Sequence, residues 1–501
     1  MADTAKVLEQ QDQFSVQLQQ LKSQLDWFKQ QLFGQKSERH VEQNPDQLSL
    51  LDIPSGPTVA PEKETITYER TKGPKDRGDS VNGTGLRFDA TVPVKEIHMR
   101  APELEGDDKA QYVVIDEKVT CRLAQRPANY VVLKYIQPVV KHKASGDITT
   151  HGAPAGLFDK SLADVSFIVG MLLDKFLYHQ PLYRQHQKLA LNGITLARST
   201  LTNLTHRSID LLVPIFDAQW DSAIQSRVLA MDETPVKAGQ KKKGKLHQGY
   251  YWPILGDKDE ICFAFSPSRG KKVVCELLKD FDGTLVTDGY KVYERYAMQQ
   301  DIEHAQCWVH GRRYFVKAEP YDEAASEALS LIATLYQHEK YIRDNHLTRD
   351  EIFSYRQAHS LPVVDAFFAW CKAQCHRTDI LPKDNLSQAL NYMMAREKSL
   401  RVFLNNPDVP MDTNALERGL RVIPMGKKNW MFCWTEVGAK YVGIIQSLIV
   451  TCKMQGINPY VYLVDVLQRV ATHPAKDVHE LTPRLWKDKF GKNPMISDLA
   501  D

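Results

Sequence analysis

The fold is decided by RVLAMDE (227–233) and by three further apolar runs, GYYWPILG (249–256), ICFAF (261–265) and GTLVTD (283–288). Turn residues bound each run, and short apolar runs bounded in this way predict β-strands. A helix predicted at Lys271–Lys279 separates the third run from the fourth, and IEHAQCWVH (302–310) is the candidate for a fifth strand. Strands and a helix in this succession predict an α/β core.

A helical segment divides this core. Residues 321–405 have helical periodicity and few strand signals, which predicts an all-helical insertion between core parts at 225–320 and 406–472. A helix beginning near Thr413 belongs to the second part, and 473–501 is expected to form a C-terminal tail. Three strands, a helix and further strands are the order of an RNase H-like core. We therefore expect a multidomain α/β protein with such a core as its catalytic part.

Ahead of the core, residues 161–215 predict a helix-turn-helix region. PLYRQHQKLALNGITLARSTLTNLTHR contains a helical stretch, an Asn192-Gly193 break and a second helix beginning near Thr195. In a DNA-binding helix-turn-helix the second helix enters a major groove. The groove-facing candidates are Arg198, Ser199, Thr202 and Asn203. A helical hairpin that binds no DNA is the alternative.

The N-terminal part contains three segments. Apolar residues at heptad a and d positions predict a coiled coil at 1–34, and hence a homodimer. A helix that packs on its own domain is the alternative. The polar segment 35–91 predicts a flexible linker. Strand alternation, as in YVVLKYIQPVV, predicts a small strand-rich module at 92–160, whose role the residues do not indicate.

Length and composition exclude several classes of protein. A chain of 501 residues exceeds a single core and predicts several domains. It has no apolar run of about 18 residues and no signal-peptide pattern, so we expect a cytoplasmic protein that does not bind membranes. The eight cysteines include no C-x-x-C pair and are expected to be structural thiols. A zinc site formed by Cys371, Cys375 and His376 is the weaker alternative.

Two basic runs are more informative than the net charge of +2. The first, a lysine-rich loop after Asp232–Glu233, contains Lys237, Lys241, Lys242, Lys243 and Lys245. The second follows Glu417 and contains Arg418, Arg421, Lys427 and Lys428. Such runs are often no more than solvated loops. Two of them, each beside a candidate acidic site, favour a polyanionic substrate.

Three acidic residues are candidates for a metal site. Asp232 ends the first strand, Asp288 ends the strand TLVTD, and Glu417 lies on the helix after the insertion. Two-metal phosphodiester chemistry needs such a set, because ions about 3.5–4 Å apart take carboxylate oxygens and keep positions for water and phosphate. Glu233 is the alternative to Asp232. Strand alternation points the two to opposite sides, so only one is expected to face the metals.

A series of motifs resembles the successive blocks of one transposase family. They are MDETPVK, GYYWPILGD, SPSRG, LVTDGYKVY, HAQCWVHGRRYF, NALERGLR and GKKNWMF. PLYRQHQKLALNGITLARSTL and QLDWFKQQLFGQKSER precede them in the chain. The whole series is similar to transposases of insertion-sequence family 66, the TnpC-like branch, and the resemblance covers most of the chain.

This resemblance implies a DDE transposase in which Asp232, Asp288 and Glu417 are the three acids and hold two Mg²⁺ or Mn²⁺ ions. It implies strand cleavage at transposon ends and strand transfer into target DNA. The implied partners are the terminal inverted repeats, target DNA and accessory proteins of the same element. The matching motifs also imply DNA contacts by His310, Arg312, Arg313, Arg418, Arg421, Lys427 and Lys428.

The chain departs from the family pattern in one module, and two other functions stay open. The family carries a cysteine-rich zinc-binding module, whereas residues 92–142 contain only Cys121, so zinc binding is not expected there. The other functions are a catalytically silent DNA-binding protein and an RNase H-like nuclease. The intact acids argue against the first, and the helix-turn-helix and coiled coil argue against the second.

Overall fold

The computed structural model describes residues 87–88, 92–105, 109–126, 129–159, 161–242, 245–279, 281–433 and 435–499. The chain divides into two units, and all the described residues belong to the second, Arg77–Asp501. The predicted coiled coil at 1–34 and nearly all of the predicted linker at 35–91 lie outside the described residues. Within the described ranges, no helix has both the length and the hydropathy that crossing a bilayer requires.

The N-terminal part of the described chain is rich in strands. Its elements are β1 (Arg87–Phe88), β2 (Val94–His98), β3 (Tyr112–Arg126), β4 (Asn129–His142) and β5 (Ile148–Thr150). β3 and β4 pair antiparallel over nearly their whole length, β2 lies parallel to β4, and β5 pairs with the end of β4. The β-branched and aromatic residues of β4 suit a long strand of this kind.

Two helices separated by a short strand follow, in the region predicted as a helix-turn-helix. The elements are α1 (Val165–Phe176), α2 (Leu182–Leu191), β6 (Ile194–Thr195) and α3 (Arg198–Ile224). Gly193 has a φ of 74°, a conformation that glycine adopts without strain, and it directs the chain away from α2. β6 pairs with β1, so the second helix begins at Arg198 and not near Thr195.

A six-stranded mixed sheet forms the centre of the molecule. Its strands are β7 (Val228–Met231), β8 (Thr234–Lys242), β9 (Lys245–Gly256), β10 (Ile261–Ser266), β11 (Thr284–Thr287) and β12 (His304–Gln306). The strand order is β10-β9-β7-β11-β12, with β8 paired to β9. β7, β11 and β12 are parallel, whereas β9 is antiparallel to its neighbours. Every residue of β7 and β11 is buried, as expected for parallel strands covered on both faces.

Helices connect the last three strands of this sheet and follow the last one. The connecting helices are α4 (Lys271–Leu277) and α5 (Lys291–Gln300), and α6 (Trp308–Ala318) follows β12. α5 joins β11 to β12, because a connection between parallel strands must return the chain to the same end of the sheet.

The lysine-rich segment after Asp232–Glu233 is a strand and not the predicted loop. Residues Thr234–Lys242 form β8 and pair antiparallel with the first half of β9. Gly239, with a φ of 69°, lies at a register shift in this hairpin. The strand was missed because its alternation is short: Val236 and Ala238 are buried and Lys237 between them is exposed, but lysines follow shortly after in the sequence.

The segment after α6 is helical throughout. It contains α7 (Ala324–Asp344), α8 (Arg349–Tyr355), a π-helical turn (Arg356–Ser360), α9 (Leu361–Cys375), α10 (Asn385–Met394), α11 (Glu397–Leu400) and α12 (Val402–Asn405). The buried Arg356 side chain forms an ion pair with Glu339 at 2.8 Å. It also donates to the carbonyl oxygens of Phe403 and Val409, and so joins the helical segment to the chain that returns to the sheet.

The returning chain covers one edge of the sheet. It forms α13 (Asn414–Leu420), α14 (Val422–Trp430), α15 (Glu436–Met454), α16 (Pro459–Arg469), a 3₁₀ segment (Ala475–Leu481) and α17 (Pro483–Lys489). β10 is an edge strand, and the backbone N–H groups of Phe263 and Ile261 donate to the hydroxyls of Ser447 and Thr451 on α15. The helix thus satisfies strand donors that would otherwise be open to pairing with another chain.

The last described residues return to the N-terminal strands. Leu499 packs with Leu133 and Tyr135 of β4, and the Tyr135 hydroxyl donates to Asp498 at 2.6 Å. Val132, the neighbour of Leu133, is buried on the other side together with Phe167 of α1. Both faces of β4 are therefore covered, and the segment predicted as a tail forms part of the fold.

Candidate active site

Asp232 lies directly after β7, in the centre of the main sheet. Its backbone N–H donates to the carbonyl oxygen of Pro253 on β9, which continues the strand pairing by one residue. Its Oδ1 accepts a hydrogen bond of 2.7 Å from the backbone N–H of Glu233. The buried strand thus fixes the backbone of Asp232, and its carboxylate lies beyond the end of the strand.

Asp288 occupies the equivalent position after β11. β7 and β11 are adjacent and parallel, so their carboxyl ends lie at the same edge of the sheet. Side chains that follow such ends meet in one crevice, where ligands bind in open α/β sheets. Asp288 Oδ1 accepts from the backbone N–H of Tyr290 at 2.9 Å, which fixes the start of α5 relative to the carboxylate.

Glu417 comes from the first turn of α13, after the helical segment. Its Oε2 accepts a hydrogen bond of 2.7 Å from the guanidinium of Arg313 on α6. His310, one turn earlier on α6, places its Nε2 3.8 Å from Oε1 of the same carboxylate. Two residues predicted to contact DNA therefore contact the third acid directly.

The three acids act on one another electrostatically. Burial, together with the smaller effects of the charges of Asp288, Glu233 and Glu417, raises the pKa of Asp232 to about 7, against the opposing effect of the backbone hydrogen bond from Glu233. The fold thus brings Asp288 and Glu417, which lie 56 and 185 positions after Asp232 in the sequence, within range of its charge. A cluster of mutually repelling carboxylates is a typical position for a bound cation.

The acids do not converge on a single ion position as they stand. Among the described residues, no three His, Cys, Asp or Glu side chains form a group placed to hold a metal ion. The pairing of Glu417 with Arg313 gives a physical reason why the three acids do not converge, since one oxygen of the Glu417 carboxylate is directed to the guanidinium. The alternative zinc site has no support in the structure either, because Cys371 is buried whereas Cys375 is exposed.

Glu233 differs from Asp232 in having partners for both oxygens. Arg269 donates to Oε1, with its Nε at 2.9 Å, and the hydroxyl of Tyr293 donates to Oε2. Burial raises the pKa of Glu233, and these hydrogen bonds oppose the rise. The charge of Asp288 acts on both Glu233 and Asp232. Strand alternation therefore does not separate the two, because both lie in the turn between β7 and β8.

The groove-facing candidates all lie at the exposed start of α3. Arg198, Ser199, Thr202 and Asn203 are exposed, whereas the neighbouring Leu201 and Leu204 are buried. The guanidinium of Arg198 lies 5.4 Å from the ring centroid of Tyr183 on α2. The other end of α3 contacts the main sheet, where the Gln219 side chain donates to the carbonyl oxygen of Ile261 at 2.8 Å. One helix thus joins this surface to the core.

The basic runs have mixed environments. Lys245 is exposed at the start of β9, whereas Lys243 and the side chains of Lys241 and Lys242 lie outside the described residues. Most of the remaining basic candidates are exposed: Arg312, Arg418, Arg421 and Lys428. Lys427 donates to the carbonyl oxygen of Pro235 at 3.3 Å, which joins α14 to β8 close to the acids.

Two arginines beside the acids carry no assignment from the sequence. Arg269, in the SPSRG motif, pairs with Glu233. Arg396, which follows α10, donates to the carbonyl oxygen of Gly289 at 3.2 Å. A Cβ at Gly289 would lie 2.8 Å from Arg396 Nε, so a larger residue at this position next to Asp288 would require the Arg396 side chain to move. The recurrence of SPSRG among the family blocks was the available signal for Arg269; nothing in the sequence indicated Arg396.

Comparison with known proteins identifies the family. The family model described as "Transposase IS66 family" matches residues 160–441, a span that contains all three acids and the helix pair. The chain belongs to the IS66 transposase family. The model "IS66 C-terminal element" matches 447–484, and "Transposase C of IS166 homeodomain" matches 20–97. The last match covers the C-terminal part of the predicted coiled coil and the whole of the predicted linker.

Three similar curated proteins come from Sinorhizobium fredii. "Uncharacterized protein y4jD" is 29% identical over 361 residues, covering 68% of this IS66 family chain and 70% of the relative. "Uncharacterized protein y4hP" is 27% identical and covers 76% of this chain and 73% of the relative. "Uncharacterized protein y4qI" is 25% identical and covers 77% and 74%. The similarity thus extends well beyond the segment that carries the acids.

Proposed function

We propose that this IS66 family chain is a DDE transposase that cleaves DNA at transposon ends and joins the freed 3′ ends to target DNA. The observation that carries this proposal is that the fold brings three acids from distant parts of the chain within range of one another's charge. Asp232 and Asp288 follow adjacent parallel strands, and the charges of both Asp288 and Glu417 raise the pKa of Asp232. The family match supports a role in transposition.

We also propose that the core is RNase H-like. Numbered from β7 and with the β8–β9 hairpin counted as one, the five core strands lie in the order three, two, one, four, five. The first, fourth and fifth strands are parallel, and the second is antiparallel to its neighbours. This order supports the prediction made from the strand and helix succession, and the helical segment between β12 and α13 occupies the place of the predicted insertion.

The donor set fits divalent cations of the Mg²⁺ or Mn²⁺ kind. Asp232, Asp288 and Glu417 offer carboxylate oxygens, which such hard ions prefer. A pair of these ions, when bound, would activate the attacking water or 3′-hydroxyl and stabilise the leaving oxygen. The raised pKa of Asp232 is consistent with a site that lacks compensating positive charge in the absence of a cation.

The residues of the site have different roles in the proposed reaction. Asp232 and Asp288 are held by the ends of buried strands, so they require little movement to act together. Glu417 is paired with Arg313 and must share its carboxylate between that guanidinium and a metal. Arg313 and His310 are then close enough to meet a phosphate at the same place, since a guanidinium also suits phosphate oxygens.

DNA recognition is proposed for surfaces outside the acid cluster. The exposed first turns of α3 would read a terminal repeat, and the exposed basic residues after Glu417 would contact the DNA backbone. The proposed homodimer through the N-terminal coiled coil would hold two transposon ends together. Accessory proteins of the same element are a further proposed partner.

Strand cleavage and joining on labelled terminal-repeat DNA, with Mg²⁺ or Mn²⁺, tests this function. The variants D232A, D288A and E417A should lose nearly all cleavage and joining while keeping DNA binding. E294A, at an exposed position of α5, is the matched control and should keep both activities.

Three results would contradict the proposal. A triad variant with full strand transfer removes that residue from the site. Cleavage without joining by the wild type favours an RNase H-like nuclease. DNA binding without cleavage under all metal conditions favours a catalytically silent DNA-binding protein.

A further inference from the structure

The pairing of Glu233 with Arg269 has no part in the proposed reaction. Glu233 follows Asp232 directly, yet its side chain is only 3% exposed and is fully hydrogen-bonded. Arg269 lies in the turn between β10 and α4, 36 residues after Glu233 in the sequence. The Arg269 side chain is 47% exposed, so only the carboxylate of this pair is buried; a buried charge is costly unless it is paired, which makes this contact informative.

Arg269 contacts the chain on both sides of the acid cluster. Its guanidinium donates to Glu233 with Nε at 2.9 Å from Oε1. The same guanidinium lies 4.2 Å from the ring centroid of Tyr290, on the segment that follows Asp288. The Tyr290 hydroxyl donates in turn to the backbone carbonyl oxygen of Arg269 at 3.0 Å.

These contacts form a continuous series of hydrogen bonds between the first two acids, which we call the Arg269 circuit. The Asp232 carboxylate accepts a hydrogen bond from the backbone N–H of Glu233. The Glu233 side chain pairs with Arg269, and the backbone carbonyl oxygen of Arg269 accepts a hydrogen bond from the Tyr290 hydroxyl. The backbone N–H of Tyr290 donates to Oδ1 of Asp288 at 2.9 Å. Tyr293 adds a second connection, since its hydroxyl donates to Glu233 from the helix that begins after Asp288. Strand pairing fixes only the backbone up to the acids, whereas this circuit reaches the turns that carry them.

We propose that Arg269 and Glu233 are positioning residues that set the relative placement of Asp232 and Asp288 for a divalent cation. The inference rests on the proposed function of those two acids. It assigns Glu233 to support of the site and not to metal ligation. Partners of metal-ligating residues typically contribute about 10-fold to 100-fold in metal affinity, which sets the expected effect.

Mn²⁺ binding to the full chain without DNA, measured by titration calorimetry, tests this assignment. We expect R269Q and E233Q each to weaken Mn²⁺ binding about 10-fold to 100-fold. The double variant E233Q/R269Q should be no weaker than the weaker single variant, because both act through the same circuit. R269K, which keeps the charge but not the planar fork, should recover part of the affinity.

The opposite assignment has a different signature. If Glu233 is itself a metal ligand, R269Q frees its carboxylate, and Mn²⁺ then binds as tightly as to the wild type or more tightly. Unchanged or tighter Mn²⁺ binding by R269Q would therefore overturn the inference. Because R269Q leaves a buried carboxylate without its partner and can lower stability, the double variant, which removes both charges, is measured as well. Wild-type affinity in a folded double variant would also overturn it.

Two controls keep this test separate from the proposed function. R295Q, at an exposed position of α5, matches the chemical change and should bind Mn²⁺ like the wild type. D232N should abolish binding. If the wild type and D232N behave alike, the proposed metal site itself is wrong; if D232N fails to bind and R269Q binds normally, only the positioning inference is wrong.

Discussion

Two arginines flank the acid cluster, and they differ in the carboxylate that each one holds. Arg269 pairs with Glu233, a side chain that is 3% exposed and has donors at both oxygens. Arg313 pairs with Glu417, whose side chain is 21% exposed and has its other oxygen 3.8 Å from His310. The Glu233 carboxylate is enclosed, whereas the Glu417 carboxylate is partly open to a ligand. Of the two guanidiniums, that of Arg269 is the more exposed, at 47% against 33% for Arg313.

This difference separates support of the site from ligation. A guanidinium that satisfies a buried carboxylate holds the backbone around it in place, and loss of that contact should lower the affinity of the site for metal. A guanidinium on a half-exposed carboxylate competes with any cation that needs the same oxygens. Removing Arg269 and removing Arg313 should therefore change metal affinity in opposite directions.

The largest expected effect distinguishes Asp232 from its neighbour. D232N should lower strand cleavage about 1000-fold or more, because a metal-held charge contributes several kcal/mol to transition-state stabilisation. E233Q should lower it by only about 10-fold to 100-fold, as expected for a supporting residue. Single-turnover cleavage of labelled terminal-repeat DNA at saturating Mn²⁺ measures both. Equal losses in the two variants would contradict the distinction.

The sequence predicted the strand ends but not the contacts between them. Asp232, Asp288 and Glu417 could be chosen because each stands next to a recognisable strand or helix. Arg313 and Glu417 are 104 residues apart, and Tyr293 and Glu233 are 60 apart, so no local pattern reveals either pairing. The choice between Glu233 and Asp232 also required tertiary partners, since strand periodicity ends at Met231.

The remaining errors have similar causes. β8 was predicted as a loop because its lysines conceal a strand that pairs with β9 and, at Ala238, with Cys433, 195 residues later. Residues 473–501 were predicted as a C-terminal tail, yet Asp498 accepts a hydrogen bond from Tyr135, 363 residues earlier. Contacts over such distances depend on the completed fold and leave no periodic signal in the chain.

A smaller effect concerns pH. Burial raises the pKa of Asp232 to about 7, well above its value in an unfolded chain. The folded state then binds more protons than the unfolded state between about pH 4 and pH 7, so this carboxyl lowers stability as the pH rises through that range. Without metal, the free energy of unfolding of the wild type relative to D232N should fall by about 2–4 kcal/mol between pH 4.5 and pH 7.5.

Urea unfolding at several pH values, with a chelator present, measures this difference. D282N, at an exposed position, is the matched control and should follow the wild type within about 0.5 kcal/mol. A difference between the wild type and D232N that does not vary with pH would show that Asp232 is not held in a destabilising environment.

The smallest expected effect is that of Arg313. R313Q should tighten Mn²⁺ binding about fivefold, because a partly exposed ion pair contributes about 1 kcal/mol and that pairing no longer competes for Glu417. Titration calorimetry on the full chain measures the change, and R312Q, at the adjacent exposed position, should leave the affinity unchanged. Weaker binding by R313Q would mean that Arg313 positions Glu417, and the two arginines would then have the same role.

The most direct measurement is Mn²⁺ binding by the full chain and by its D232N, D288N and E417Q variants in the absence of DNA. These substitutions keep the size of each side chain and remove one charge. We expect the wild type to bind Mn²⁺ and each variant to lose more than about 100-fold in affinity, a larger loss than that of a supporting residue, since all three acids belong to one site. Wild-type affinity in any of the three variants, or no binding by the wild type, would contradict that account.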